Sequence, residues 1–191
     1  MAKLHPIIRA AAREGAWPEW AEMSPGRQAH SERVGKLLGK WARELDLSKR
    51  ERRRWRAGGL LHDALKDARP AKLRKRMIDP EGWPDPLLHG PACAERLRAD
   101  GVEDEGFLLA VSHHTTGHAD FDALGEALYM ADYLDPGRRG LKLRRSDWRR
   151  RMPGEWHDVL IEVAASKIGT LLARQVPIPA VTKDFWNKHT S

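Results

Sequence analysis

Residues 59–67 read GLLHDALKD, in which a histidine and an aspartate, His62 and Asp63, directly follow two leucines. Apolar residues at helical spacing lead into this pair, and Ser48 with Glu51 has the spacing of a capping box, which predicts that a helix begins there. Neighbouring residues on a helix point in different directions, so the two side chains should enter a site from adjacent sides. Imidazole and carboxylate groups are common ligands of transition metals, and the pair is therefore a candidate metal site, although single His-Asp pairs also occur by chance.

Two other apolar stripes carry a polar residue that we expect to be buried. His30 shares a helical face with Val34 and further apolar residues between residues 24 and 45. Asp132 lies on the apolar face of residues 121–134. A histidine on such a face is more often an ordinary core residue than a ligand, but a buried carboxylate is costly without a partner. A metal ion is one such partner, so both residues are candidate ligands.

Helical periodicity occurs almost throughout the chain, and no alternating strand pattern competes with it, which predicts an all-α fold. The proline-rich stretch 83–91 predicts a loop that presents His89 just before a helix. Residues 115–120 predict a polar loop that follows His113 and His114. Other helices are expected after Pro70, from Pro91 to about Arg98, from Asp104 towards His114 and from Glu155 to Gln175.

Length and composition indicate one globular domain of 191 residues, with 41% hydrophobic and 32% charged residues. We expect residues 1–24 to form an N-terminal helical extension, 25–175 the domain itself and 176–191 a C-terminal tail that packs on it. No apolar run is long enough for a membrane span, and the N-terminus lacks the pattern of a secretion signal, so a cytoplasmic location is expected. The single cysteine, Cys93, cannot form an intrachain disulfide and is expected to be a small buried side chain.

Basic residues give the chain a net charge of +7 and cluster at 49–56, 69–76 and 138–151. Such clusters are often only solvated helix faces. If the charge is functional, it favours polyanionic partners, among which a phosphate-rich small substrate, nucleic acid and anionic membranes remain open.

Five short motifs, taken in order, resemble the HD superfamily of metal-dependent phosphohydrolases, and in particular its YqeK-like branch of symmetrical dinucleoside tetraphosphatases. The motifs are RQAHSERV (27–34), GLLHDALKD (59–67), LLHGP (87–91), HHTTG (113–117) and LYMADYLDPGR (128–138). The resemblance covers roughly residues 25–175 and implies an HD-domain helical bundle. The last three motifs are much more specific than the His-Asp pair alone.

The resemblance also implies a binuclear metal centre. One metal ion would be held by His30, His62, Asp63 and Asp132. Asp63 would bridge to a second ion completed by His89 and His114, because a carboxylate offers two oxygens. The implied cofactors are two divalent or mixed-valent ions, with iron expected first and manganese or magnesium as substitutes.

Several residues near these ligands are candidates for contact with a phosphate. Lys66 completes an HDxxK arrangement and, with Asp63, is a predicted catalytic residue; the alternative is a solvated lysine. Arg27 and Arg138 could contact phosphate or form ordinary salt bridges. Thr115 and Thr116 could donate hydrogen bonds to phosphate or serve in a turn. Gly90 is counted with the substrate-binding residues because it shapes the turn at His89.

Asp135, just beyond the candidate ligand Asp132, could orient a ligand without binding the metal. The related family more often has glutamate here, and the shorter side chain leaves this role open.

The predicted function is hydrolysis of a nucleotide phosphoanhydride by a metal-activated water, with symmetrical cleavage of diadenosine tetraphosphate to two ADP as the implied reaction. One alternative is another nucleotide phosphohydrolase of the superfamily, such as a nucleotidase, a deoxynucleoside triphosphatase or an alarmone hydrolase. A second is a basic nucleic-acid-binding module on the same scaffold, which has no need of six metal ligands. We therefore expect a nucleotide substrate, and neither a membrane nor nucleic acid as a partner; a homodimer remains open.

Overall fold

The computed structural model describes residues 3–191, and in this range it contains α-helices and one short 3-10 turn (85–87) but no strand, which confirms the predicted all-α class. The helices are α1 (Pro6–Glu14), α2 (Pro25–Glu44), α3 (Lys49–Leu61), α4 (Pro70–Arg74), α5 (His89–Ala99), α6 (Glu105–His113), α7 (Ala123–Tyr133), α8 (Lys142–Arg151), α9 (Trp156–Ala173) and α10 (Ala180–Thr190).

Helices α2 and α3 form the central pair of the bundle, and glycines allow them to cross closely. A Cβ atom added to Gly59 would lie 2.6 Å from the Cα of Gly35, so only glycine fits at this crossing. Helix α7 packs on both helices, α5 and α6 pack on one another, and α1 covers α3. The crossing brings His30 of α2 near His62, the residue that follows α3.

A buried arginine joins three helices on the side of α3 away from its C-terminal end. Arg54 donates hydrogen bonds of 2.7 and 2.9 Å to Asp104 and one of 2.8 Å to Asp122. These aspartates cap the first turns of α6 and α7, accepting from the backbone N–H of Phe107 and Gly125. Helix α7 contains Asp132 and α6 leads directly into His114, so these contacts anchor the N-terminal ends of the two helices that carry these residues.

The core contains the large apolar side chains that the periodicity predicts. Trp41 and Trp55 are buried, as expected, and so is Trp148. Cys93 is also buried, and its Sγ donates to the Leu61 carbonyl at 3.2 Å. Burial raises the pKa of the Cys93 thiol, so the thiol stays protonated. The prediction that Cys93 is a small buried side chain is therefore confirmed.

Three local details differ from the sequence-based expectations. Helix α3 ends at Leu61, and residues 62–67 form a series of turns, so Lys66 does not lie on a continuous helix with His62. His89 is the first residue of α5 instead of preceding it. The arginine-rich stretch after Arg138 contains α8, which periodicity did not predict because apolar residues are few there.

The two ends of the described chain each carry a helix that packs on the bundle. Ile8, Ala11 and Ala12 of α1 are buried, as are Thr182 and Phe185 of α10. The boundaries of 1–24, 25–175 and 176–191 remain a proposal. None of the helices within residues 3–191 combines the length and apolar character needed to cross a bilayer.

Candidate metal centre

Six predicted ligands converge at one place inside the bundle. They come from α2, from the turn after α3, from the first turn of α5, from the end of α6 and from α7. All six are at least nine-tenths buried. They are His30, His62, Asp63, His89, His114 and Asp132.

Asp63 lies between two groups of these side chains. Its Oδ1 is 3.2 Å from Nε2 of His89 and 3.4 Å from Nε2 of His114. Its Oδ2 is 3.6 Å from Nε2 of His62 and 3.8 Å from Nε2 of His30. The two oxygens of one carboxylate therefore face two separate pairs of imidazoles.

Asp132 adds a second carboxylate to one of these groups. Its Oδ1 lies 3.1 Å from Nε2 of His30 and 3.8 Å from Nε2 of His62. On the other side of Asp63, the Nε2 atoms of His89 and His114 are 3.2 Å apart. Ligand atoms at these separations can bind a cation together. The cation would also offset the repulsion between the two carboxylates.

Two histidines owe their orientation to the helix ends that carry them. His62 directs Nδ1 to the Gly59 carbonyl at 2.9 Å, and His114 directs Nδ1 to the Val111 carbonyl at 2.8 Å. A carbonyl only accepts, so Nδ1 carries a proton in both rings, and Nε2 is the ring nitrogen that faces the candidate metal site. This is the tautomer that a metal ligand requires.

His30 is oriented by a carboxylate instead of a carbonyl. Its Nδ1 lies 2.7 Å from Oδ2 of Asp135, which is buried. Arg33 holds this carboxylate with two hydrogen bonds of 2.7 and 2.9 Å, and the Gly137 N–H adds one of 3.0 Å. Asp135 thus contacts a candidate ligand as the sequence suggested, whereas Arg33 was missed. Its position one turn after His30 was the available signal.

Burial and neighbouring charges set the ionisation of the centre. Burial lowers the pKa of His62 to about 3, so its ring is neutral at physiological pH. Burial also disfavours a charged His30, but the carboxylates of Asp132 and Asp135 outweigh it and raise the pKa of His30 to about 9. Burial alone would raise the pKa values of the Asp63 and Asp132 carboxyls, but the imidazoles beside Asp63 and Arg138 beside Asp132 hold them well below the ordinary value.

The donor set fits a metal ion. In the part of the chain that the structure describes, Nε2 of His30 and Nε2 of His62 are buried and make no hydrogen bond. Two groups have ligand atoms within 4.8 Å of one another: His30 with His62 and Asp132, and His62 with Asp63 and His114. Imidazole nitrogen and carboxylate oxygen together suit iron, manganese or zinc better than calcium.

Three predicted phosphate-binding cations lie beside the ligands and line one cleft of about 370 Å³. Arg27 donates to Oδ2 of Asp63 at 2.8 Å, and Arg138 forms an ion pair with Oδ1 of Asp132. Lys66 has its Nζ 3.3 Å from the ring nitrogens of His89 and 3.4 Å from the Pro86 carbonyl. Lys66 is half-buried instead of solvated, and burial lowers its pKa.

The remaining predicted contacts are divided between the cleft and the helix packing. Thr115 and Thr116 line the cleft. The Thr116 hydroxyl also lies 3.4 Å from the His113 carbonyl, which is the turn-forming alternative. Gly90 is not among the cleft residues: a Cβ atom there would lie 2.5 Å from the Ser112 carbonyl oxygen. Its visible role is to let α5 approach α6, and the contacts give no support to substrate binding.

Sequence reasoning also missed Lys167, which lines the same cleft from α9. The available signal was a lysine among apolar residues of that helix, between Ala164 and Ile168.

Comparison with known proteins identifies relatives over the segment that carries the site. A model of the HD domain family matches residues 27–137. A Staphylococcus aureus protein named bis(5'-nucleosyl)-tetraphosphatase, symmetrical, is 32% identical over 121 residues, 59% of this chain and 60% of the relative. A protein of the same name from Halalkalibacterium halodurans is 32% identical over 107 residues, which cover 54% of this chain and 55% of the relative. Another from Bacillus subtilis is 34% identical over 87 residues, which cover 41% of this chain and 46% of the relative. The matches thus span about half the length of these curated relatives.

A solved structure shares the fold over most of the chain. The crystal structure of a predicted HD superfamily hydrolase involved in NAD metabolism from Clostridium acetobutylicum has a TM-score of 0.74, with 23% identity, over 87% of this chain and 90% of that one. The family model covers more than half of the chain and includes all six candidate ligands. This chain belongs to the HD domain family.

Proposed function

We propose that the protein is a metal-dependent hydrolase of nucleotide phosphoanhydrides that cleaves diadenosine tetraphosphate symmetrically into two ADP. The observation that carries the metal-dependent part is the position of Asp63, whose two oxygens face two different pairs of imidazoles. The names of the curated relatives support the choice of substrate.

The proposed centre holds two ions. His30, His62, Asp63 and Asp132 would hold one, and Asp63, His89 and His114 the other. When bound, such ions supply Lewis acidity, which polarises phosphoryl oxygens and lowers the pKa of water. Iron is the expected metal, with manganese or magnesium as substitutes; this identity, a cytoplasmic location and a homodimer remain predictions.

The cleft cations would bind the polyphosphate. Arg27 and Arg138 have planar guanidinium groups that can each bind two phosphate oxygens, and Lys66 acts as a point charge. All three lie on the cleft wall beside the carboxylate ligands. There they can orient the scissile bond and offset negative charge that develops as it breaks.

The reaction consumes one water for each dinucleotide. The water oxygen bonds to one of the two central phosphorus atoms, and the bond from this phosphorus to the central bridging oxygen breaks. The bridging oxygen leaves with the second ADP. The protons of the water pass to that oxygen or to solvent, so the products are two ADP.

The test is product identification with the metal-loaded full chain. Diadenosine tetraphosphate should yield ADP alone, and in ¹⁸O-labelled water each turnover should place one label in ADP. Asp63→Asn should abolish cleavage. Asp67→Asn is the matched control, because Asp67 is exposed and accepts a hydrogen bond from the Ser24 N–H outside the ligand group.

Three outcomes would contradict parts of the proposal. Release of ATP with AMP would overturn symmetrical cleavage. Turnover of a nucleoside monophosphate, a deoxynucleoside triphosphate or an alarmone in place of the dinucleotide would favour another reaction of the family. Salt-dependent binding of RNA or DNA, unaffected by Asp63→Asn and without hydrolysis, would favour the nucleic-acid-binding alternative.

A further inference from the structure

The cleft beside the metal centre has a second wall, away from the candidate ligands. Asp63, His114 and Asp132 line one part of the cleft. Helix α9 and the start of α10 line another part, with Lys167, Thr170, Arg174 and Thr182 among the lining residues. The six candidate ligands and the cations Arg27, Lys66 and Arg138 leave this wall without an assigned role.

Lys167 occupies an unusual position in this wall. Its Nζ lies 3.7 Å from the centre of the Tyr129 ring and 5.9 Å from that of Tyr133. Over the described residues 3–191, this Nζ is buried and makes no hydrogen bond. The hydroxyl of Tyr129, also a cleft residue, is likewise buried and has no hydrogen-bond partner among those residues.

A buried ammonium group without an anion is costly, and the face of an aromatic ring compensates only in part. Burial accordingly lowers the pKa of Lys167 to about 7. Asp132 raises this pKa and Arg138 lowers it, so Lys167 lies within electrostatic range of the metal end of the cleft. A phosphate that entered the cleft would supply the missing counter-charge and hydrogen-bond acceptors.

We infer that Lys167 binds a phosphate of the half of the dinucleotide that occupies this second wall of the cleft. This inference rests on the proposed function. Central cleavage leaves two phosphates on each side of the scissile bond. Arg27, Lys66 and Arg138 contact the ligand groups themselves, so they serve the phosphates near the metal centre, whereas Lys167 extends positive charge along the cleft.

Lys167→Met tests the inference because methionine retains the length of the side chain and removes the ammonium. Its melting temperature should equal or exceed that of the wild type, since the variant loses an unpaired buried cation. In the metal-loaded full chain, the KM for diadenosine tetraphosphate should rise about tenfold or more, the expected loss for one hydrogen bond to a charged group, with a smaller change in kcat. The Kd for ADP, measured by calorimetry, should rise by a similar factor.

Lys183→Met is the matched control, because Lys183 is exposed on α10 outside this cleft, and it should leave KM, kcat and Kd unchanged.

An unchanged Kd for ADP in Lys167→Met, or no ADP binding by the wild type, would overturn the inference. An unchanged KM alongside normal wild-type cleavage would also overturn it and leave the proposed function intact. Conversely, Lys167-dependent binding of ADP without cleavage of the dinucleotide would contradict the proposed function and retain Lys167 as a phosphate-binding residue.

Discussion

At the scale of single residues, the orientation of His30 depends on a chain of contacts that begins at Arg33. Arg33 fixes both oxygens of Asp135, and the Asp135 carboxylate in turn accepts a hydrogen bond from Nδ1–H of His30 at 2.7 Å. Partners of this kind fix the ring orientation and basicity of metal ligands. Arg33 is therefore a positioning residue for the proposed metal centre.

Arg33→Gln should weaken metal binding by about 10- to 100-fold, the range observed when partners of metal ligands are lost. The affinity would be measured by competition with a chelator of known affinity. Arg43→Gln is the control, because Arg43 is an exposed arginine on the same helix. Equal metal affinity in Arg33→Gln and the wild type would show that Asp135 holds His30 without this arginine.

The candidate ligands could be predicted from the sequence because they lie in motifs whose order along the chain is recognisable. Residues that act through contacts between separate helices could not be predicted in this way. His30 and Asp132 were visible because each interrupts an apolar stripe. Arg33 and Lys167 resemble ordinary basic residues in the sequence. Their roles arise because α7 brings Asp135 to α2 and places Tyr129 beside α9, and periodicity along one helix contains no information about such pairings.

At the scale of helices, the close crossing of α2 and α3 determines how near His30 and His62 lie. Gly59 contacts the backbone of Gly35, and the two imidazole rings, carried by α2 and by the residue after α3, have centroids 5.4 Å apart. Any side chain at Gly59 would have to push the helices apart, because the contact is with backbone atoms that cannot rotate away.

Gly59→Ala should lower the free energy of unfolding by about 1–3 kcal/mol, the usual cost of overpacking, and should also weaken metal binding. Chemical denaturation measures the first effect and chelator competition the second. Gly26→Ala is the control: it lies in the first turn of α2 with no atom within 4 Å of the added Cβ, so alanine should be neutral or slightly stabilising. Equal stabilities of the two variants would mean that the helices can separate at little cost.

Helix positions were predicted where apolar spacing was regular and missed where side chains compete with the backbone. The end of α3 at Leu61 is an example: the His62 ring bonds the Gly59 carbonyl that a continued helix would use, and the chain turns. His114 does the same with the Val111 carbonyl at the end of α6. Periodicity alone cannot reveal such competition, nor could it predict α8, in which only Arg145 and Trp148 are buried.

At the scale of the whole molecule, the six candidate ligands connect segments that are far apart in the chain. They extend from residue 30 to residue 132 and belong to or adjoin α2, α3, α5, α6 and α7. Without a cation, two buried carboxylates and four buried imidazoles are held together against their desolvation cost. Ions that bind only the folded chain should therefore stabilise the entire bundle.

Metal removal should lower the melting temperature of the full chain. At free metal of about 100 times Kd, each bound ion adds about 2.7 kcal/mol of stability. For a chain of this size that corresponds to an increase of roughly 5–10 °C for each ion. Thermal denaturation with saturating Mn²⁺ or anaerobic Fe²⁺, and again after chelation, measures the difference.

The melting temperature of Asp63→Asn should respond much less to metal because both proposed ions lose a shared ligand, whereas Asp67→Asn should respond as the wild type does. If the wild type melted at the same temperature with and without metal, the converging imidazoles and carboxylates would be a polar core that binds no ion, and the proposed hydrolysis would lose its physical basis.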